Sequence, residues 1–448
     1  MLSRDESSAA AERLVERACR AGAEAADALY ASSHSMDVEV RLGELDHVGR
    51  SEGERIGLRV FVGARSASVA SSDLSSEALD ELVARALAMA AEAPEDPYAG
   101  LAPTELLAGA PFPDLDSTDP LEPDPAELRI RALSTEAAAL AVQGVANSSG
   151  ASASASGSTI ALATSAGFAG AYRATSYSCS ASVIAGEGAT MQRDSAWHSA
   201  RHLSDLDSAE DIGRLAAERA VARLNSQRPK SGKMAVLFDP RVSHTLLGHL
   251  AGAISGSSVA RKSSFLQDKL GTRIFAQGVT VVDDPLRLRG LRSRPFDGEG
   301  LAVGRKDLIA DGILKGWIAD SASARQLGIK PTGHASRGVG SAPGVSPSNF
   351  YMESGTRSRE ELLSAFPSAL LVTELIGHGA NPVTGDYSRG AAGFLVRDGE
   401  IGPAVQEITI ASNLVEMFAT LEPASDLQFR RGMDAPTLLI PEMTVAAA

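Results

Sequence analysis

The chain has 448 residues, with 42 Lys and Arg against 56 Asp and Glu, a net charge of −14. That balance argues against non-specific nucleic-acid binding, which needs a basic footprint. An apolar fraction of 44% is ample for packed cores and excludes a disordered chain, while two Cys cannot build a disulfide framework or a Cys-rich zinc module.

The N-terminus carries Asp5 and Glu6 where a secretory signal needs an apolar run. It reads as an amphipathic helix with Leu14, Val15, Ala18 and Cys19 on one stripe, capped by Asp5 or Ser7. Residues 36–42 alternate as a strand should, and a second strand follows near His47. Residues 55–70 read as a hairpin turning at Gly63 and Ala64. Residues 75–93 form a helix capped by Ser75 or Ser76, with Leu82, Val83 and Ala86 inside. Eight prolines between 94 and 125 then bar helix and central strand alike. Asp124 and Pro125 start the next helix, which runs to about Val142.

Residues 147–158, NSSGASASASGS, have the composition of a flexible linker. The alternation in 159–163 and 172–184 argues instead for small-residue strands with a turn at 165–167. Cys179 is then a strand residue and not a nucleophile. A helix over 208–224 precedes a polar joint at 227–233, where the main boundary falls. Beyond it, 234–238 is a buried strand, and Asp239 with Pro240 starts a helix running to about Ser255. After Gly271 the chain is rich in short strands and Gly turns.

These elements predict an α+β fold. The N-terminal half has helices packed on antiparallel strands, and the C-terminal domain is mostly β with one or two helices. The expected units are an N-terminal α+β domain (1–115), a central α+β region with small-residue strands (116–230) and a β-rich C-terminal domain (231–448). No stretch approaches the ~18 uncharged apolar residues of a membrane span. A cytoplasmic protein without membrane or nucleic-acid contact is expected.

Most motif searches fail. There is no phosphate-binding G-x-x-x-x-G-K-[ST], no G-x-S-x-G elbow and no Cys pair at zinc spacing. One constellation remains: His244 and His249 lie five apart on the helix after Asp239. Two His four apart, as in H-E-x-x-H, differ by about 40° in rotation and face one metal, whereas five apart differ by about 140°. Both would reach one ion only if the helix distorts, which Gly248 would permit. Peptide hydrolysis also needs a carboxylate beside the first His, to take a proton from metal-bound water and deliver it to the leaving amine. Thr245 stands there instead, and a third protein ligand is needed as well. The bland reading is two helical histidines, one exposed and one partly packed. The 379–386 segment, GANPVTGD, reads as turn chemistry, with the wall of a peptide channel as the sharper alternative. Two basic spots, Arg261–Lys262 and the series Arg287, Arg289, Arg292 and Arg294, read as solvated faces or as grips for an acidic peptide or a partner.

The helix with the two His resembles the TldD/PmbA family, in which one paralogue carries H-E-x-x-x-H. The resemblance extends over essentially the whole chain. ALATSAGFAGAYRATSYSCSASVIA (161–185) and MQRDSAWHSARHLSDL (191–206) look like the central region of the PmbA, or TldE, branch. DGILKGWIADSASARQLGIKPTGHASR (311–337) looks like the shared C-terminal region, and TELIGHGANPVTGDYSRGAAGFLVRDGEI (373–401) is closer to PmbA than to TldD.

The resemblance implies a heterodimeric metallopeptidase that trims or degrades short unfolded peptides. In it, a TldD-type chain supplies zinc through the two His and a late Cys, with the Glu as base. Here His244 and His249 match the two His, and Thr245 replaces the Glu. The run 425–440 has no Cys, and Cys19 and Cys179 lie in the other half. The expectation is a subunit with no catalytic residue and no cofactor of its own. His244, Thr245 and His249 would be relics, and the zinc would sit in a TldD-type partner. Two alternatives stand beside it: a self-sufficient metallopeptidase with a rearranged metal site, and a non-enzymatic peptide-binding homodimer. The family's association with DNA gyrase finds no DNA-binding feature in these residues.

Overall fold

The structure, a computed structural model, describes residues 1–447. The first helix, α1 (Arg4–Arg20), is capped by Ser3 and not by Asp5 or Ser7. The Ser3 hydroxyl accepts from Glu6 N, and the Glu6 carboxylate accepts from Ser3 N. This reciprocal cap leaves Asp5 in the first turn, where its charge suits the helix dipole. Two long antiparallel strands follow, β1 (Ala25–Arg41) and β2 (Glu44–Val62), and then β3 (Arg65–Ser71) after the turn at Gly63 and Ala64. β1 begins well before the strand expected at 36–42.

Next comes α2 (Ser76–Glu92), capped by Ser75. The proline-rich stretch crosses the molecule with one short 3-10 turn, Thr104–Leu106, as its only helical element. Asp124 and Glu127 cap α3 (Pro125–Leu140) reciprocally. The serine-rich run is not a linker. It forms β4 (Val145–Thr164), paired with β5 (Ala169–Ala185) without a break in register from Gly150 to Ala163. β6 (Gln192–Ala200) and α4 (Ala209–Ala222) complete this half.

The six strands make one antiparallel sheet in the order β3-β2-β1-β4-β5-β6. A division at 115/116 therefore separates strands that pair directly, since β1 runs against β4 from Asp27/Thr164 to Val40/Ala151. Both helix pairs lie on the same face. Leu14 of α1 and Leu82 of α2 pack on Tyr30 and Leu58 at one end, and Leu128 of α3 and Ile212 of α4 pack on Val38 and Val183 at the other. Period-two alternation turns the remaining residues to the opposite face. There Leu29, Leu162 and Phe168 meet Phe296 of the C-terminal half, and Ser152, Ser154 and Ser156 lie opposite Ser180, Ser178 and Ser176.

In the C-terminal half, β7 (Gly232–Phe238) pairs in parallel with 368–376 and antiparallel with 438–447. Strands 386–397 and 400–413 follow, and 400–413 pairs back onto 438–447, so this sheet closes on itself. A second sheet includes 281–283, 306–310 and 350–352. The helix α5 (Pro240–Ala253), capped by Asp239, buries Leu246, Leu247 and Leu250 against Phe238, Leu370 and Val372. Beside this helix stand four short ones, Gly256–Ala260, Ser321–Leu327, Arg359–Leu363 and Leu414–Thr420, more than the one or two expected. Each is a single turn or two and leaves no periodic apolar stripe long enough to read. No helix among the described residues is long and apolar enough to cross a membrane.

Buried and half-buried ion pairs join the halves. Asp27 of β1 accepts from Arg59 Nε at 2.9 Å and also from Arg337 of the C-terminal half. At a second, half-buried junction Asp194 of β6 pairs with Arg241 of α5 at 3.3 Å, and Arg223, 3.6 Å from Asp194 in the same half, pairs across with Glu374 at 2.6 Å.

Candidate functional site

The histidine pair is carried by α5, whose position is set at its N-terminal end and first turns. Asp239 caps it and pairs with Arg241 and Arg359. The buried Ser243 hydroxyl donates to the Ala435 carbonyl at 3.1 Å. Thr245, where the family's base would stand, donates its hydroxyl to the Val242 carbonyl at 2.6 Å and is occupied within the helix.

Both histidines are half-buried, so neither is the exposed one of the bland reading. His244 Nδ1 and His249 Nε2 are buried without a hydrogen-bond partner among the described residues. Burial, with the cations of Arg431 and Arg292 adding to it, holds the His244 imidazole down at about 4. Burial and Arg389 lower His249 in the same way. The His249 ring meets Tyr387 edge-on at 5.9 Å, and burial pushes that phenol up to about 12.

Neutral imidazoles with a free ring nitrogen are what a metal ligand requires. The surroundings are wrong for a cation, however. The charges that act on the pair are those of Arg431, Arg292 and Arg389, cations that repel a zinc ion where anionic ligands would balance it. Among the described residues no three His, Cys, Asp or Glu side chains stand together as a metal-binding group. The residues present at this helix do not fit a zinc ion, and no hydrolytic step is derived through one. Cys179 does not contribute. It is buried on β5 against Thr135 Oγ1 at 3.1 Å, and burial raises its thiol.

The other marked segments resolve differently. In 379–386 the Asn381 side chain accepts from Val383 N and Thr384 N, and Gly385 takes φ +81°, a turn built by its own polar groups. Of the arginine series, Arg294 donates to the carbonyls of Ala335 and Ser346, and Arg289 pairs with Asp116 and Asp205. Arg287 instead lies 3.4 Å over the Phe429 ring, and Arg431 lies 4.9 Å over Trp197. The sequence gives no local signal for either stack, because each joins segments far apart in the chain.

Family models match along the chain: PmbA/TldA metallopeptidase domain 1 over 26–90, the central domain over 118–224 and the C-terminal domain over 231–447. The chain is 38% identical over 423 residues to the metalloprotease PmbA of Escherichia coli O157:H7, covering 94% of this chain and 92% of that one. It is 35% identical to the PmbA homolog of Haemophilus influenzae, covering 96% and 94% of the two chains. The solved structure of TldE from Thermococcus kodakarensis superposes with a TM-score of 0.88 over 98% of this chain and all of that one, a likeness of fold at 22% identity. The chain therefore belongs to the PmbA/TldD family of metallopeptidase-like proteins and is of the PmbA/TldE type.

Proposed function

We propose that this chain is the non-catalytic subunit of a two-chain metallopeptidase acting on short unfolded peptides, with the zinc and the general base carried by a TldD-type partner. The observation that carries the reading is the state of α5. His244 and His249 keep the two positions of the family's metal helix, Thr245 stands in place of the base, and among the described residues no third His, Cys, Asp or Glu joins the pair, whose charged neighbours are arginines. A cation-flanked pair of this kind disfavours a divalent ion, whatever the helix geometry allows.

The test is co-purification with a TldD-type chain, with zinc and peptidase activity measured on the single chain and on the pair. The expected result is zinc and activity in the pair, and neither in this chain alone. One tight zinc per isolated chain, lost in His244→Ala, would refute the reading in favour of a self-sufficient enzyme. Failure to pair with any TldD-type chain would refute it in favour of a peptide-binding homodimer.

A further inference from the structure

Where β6 meets the C-terminal half there is a cavity of about 570 Å³, a size that accommodates two or three peptide residues. Five arginines and three aspartates line it, in a chain whose net charge is −14. Most of these charges are already committed. Arg201 donates to the Thr175 and Gly290 carbonyls at 3.0 and 3.3 Å. Arg289 pairs with Asp205, and Arg430 pairs with Asp207 at 2.7 Å. Asp434 accepts the backbone N–H groups of Arg430, Arg431 and Gly432 and shapes the loop.

Two lining cations are left over. Among the described residues, neither Arg287 nor Arg431 has a carboxylate or any hydrogen-bonded acceptor for its guanidinium; each is stacked on an aromatic ring. Stacking immobilises the plane of a guanidinium and leaves its edge donors free, which is the state that receives a carboxylate with two parallel hydrogen bonds. A third cation, Arg292, lies close by. A Cβ at Gly432 would stand 2.7 Å from Arg292 Cγ, so the glycine, at φ +77°, is what lets that side chain pass. The lining includes exposed apolar side chains, Leu288 at 66% and Phe429 at 37%, and Trp197, 42% exposed, adjoins it beneath the lining residue Arg431. The serine-lined sheet face begins at the same place, since Trp197 pairs with Ser180.

We propose that this pocket binds a peptide carboxylate, with Arg287 and Arg431 gripping the anion and Trp197, Leu288 and Phe429 covering the adjoining side chains. Two free guanidiniums in an otherwise acidic protein suit one carboxylate and not a polyanion, which the rest of the chain would repel. The kind of ligand rests on the peptide-handling reading above; the pairing and the zinc do not enter.

The test uses the full chain and three synthetic tripeptides: an apolar one with a free C-terminus, the same sequence as its C-terminal amide, and an amide carrying one internal Glu. Binding is followed by calorimetry and by tryptophan fluorescence, read in a Trp317→Phe background so that Trp197 is the only reporter. The free acid is expected to bind, and the neutral amide to bind about tenfold more weakly or not at all. Recovery by the Glu-containing amide would support the pocket and assign it to acidic side chains; its failure would support it and assign it to C-terminal carboxylates. Arg287→Gln and Arg431→Gln are each expected to lose about tenfold. Arg431→Lys, which keeps the charge and most of the packing, is expected to retain part of the binding and so separates loss of charge from misfolding. Equal binding of acid and neutral amide, no binding of any of the three, or unchanged binding in both Gln variants would overturn the proposal. A chain that binds carboxylates but never pairs with a TldD-type subunit would refute the subunit reading and leave the pocket standing.

Discussion

Arg431 lies 4.9 Å over the ring of Trp197, and so clamps the loop beside α5 onto the last strand of the first sheet. The same guanidinium is among the cations that keep His244 neutral. One residue thus ties the two halves together and adds to the burial that keeps neutral a histidine on the helix that would carry a metal in a catalytic relative.

His244 makes stability depend on pH in the acid range. Its ordinary value is 6.5 and its value in the fold is about 4, with burial the first cause. Between those values the unfolded chain takes up a proton that the folded chain refuses. Stability is therefore complete above 6.5 and falls as pH drops towards 4, by up to about 3 kcal/mol for this group. His249 is shifted in the same direction and adds to the slope. Urea midpoints are expected to decline from pH 7 to pH 4, with a shallower decline in His244→Gln. An unchanged slope in that variant would place the acid sensitivity elsewhere.

Asp27 holds the halves together as a buried carboxylate between two guanidiniums. Burial alone would raise its pKa, but Arg59 and Arg337 outweigh that and hold the carboxyl below its usual range. Asp27→Asn leaves both cations buried against a neutral amide, at a cost of about 3–5 kcal/mol. Urea unfolding at pH 7 is expected to show that loss. A loss under 1 kcal/mol would mean that water enters the junction and screens the charges.

Much of this architecture is readable from residues. Asp124 with Pro125, Ser75 and Asp239 announce their helices, and the alternation of 159–163 and 172–184 outweighs the linker-like composition of 147–158. The start of β1 is not readable. Residues 26–30 are buried on both faces, by helices on one side and by the C-terminal half on the other, and that erases the alternation. At the site, the spacing of His244 and His249 and the missing carboxylate at Thr245 can be read directly. Their arginine neighbours cannot, because Arg292, Arg389 and Arg431 arrive from distant loops and strands that only the fold brings to α5.

Tyr387 carries a hydroxyl that does little for stability. The residue is 1% exposed, and among the described residues its oxygen has no partner at hydrogen-bond geometry, Arg389 being the charged neighbour that acts on it. A buried polar group left unpaired forfeits the hydrogen bonds it made to water, at about 1–3 kcal/mol. Tyr387→Phe keeps the edge-on contact with His249 and removes that penalty. The variant is expected to match or exceed the parent in thermal stability. A loss above about 2 kcal/mol would show that the hydroxyl holds a bound water with His249 and Arg389.

Glu299 gives the opposite pH dependence. It is 4% exposed and accepts from Ser321 N at 2.8 Å and from the Ser321 hydroxyl at 2.7 Å. Burial, with Asp297 adding to it, raises its carboxyl to about 7 from an ordinary 4.5. The folded chain thus holds a proton that the unfolded chain releases. The stability this provides is complete below 4.5 and is lost as pH rises through 7, amounting to up to about 3 kcal/mol. Glu299→Gln keeps an oxygen for both Ser321 donors and cannot ionise. The variant is expected to be the more stable protein at pH 9, with the advantage shrinking towards pH 5. Urea unfolding at pH 5, 7 and 9 measures this directly. A constant offset across the series, or a variant weaker than the parent at pH 9, would show that the Glu299 carboxylate is charged and satisfied in the fold.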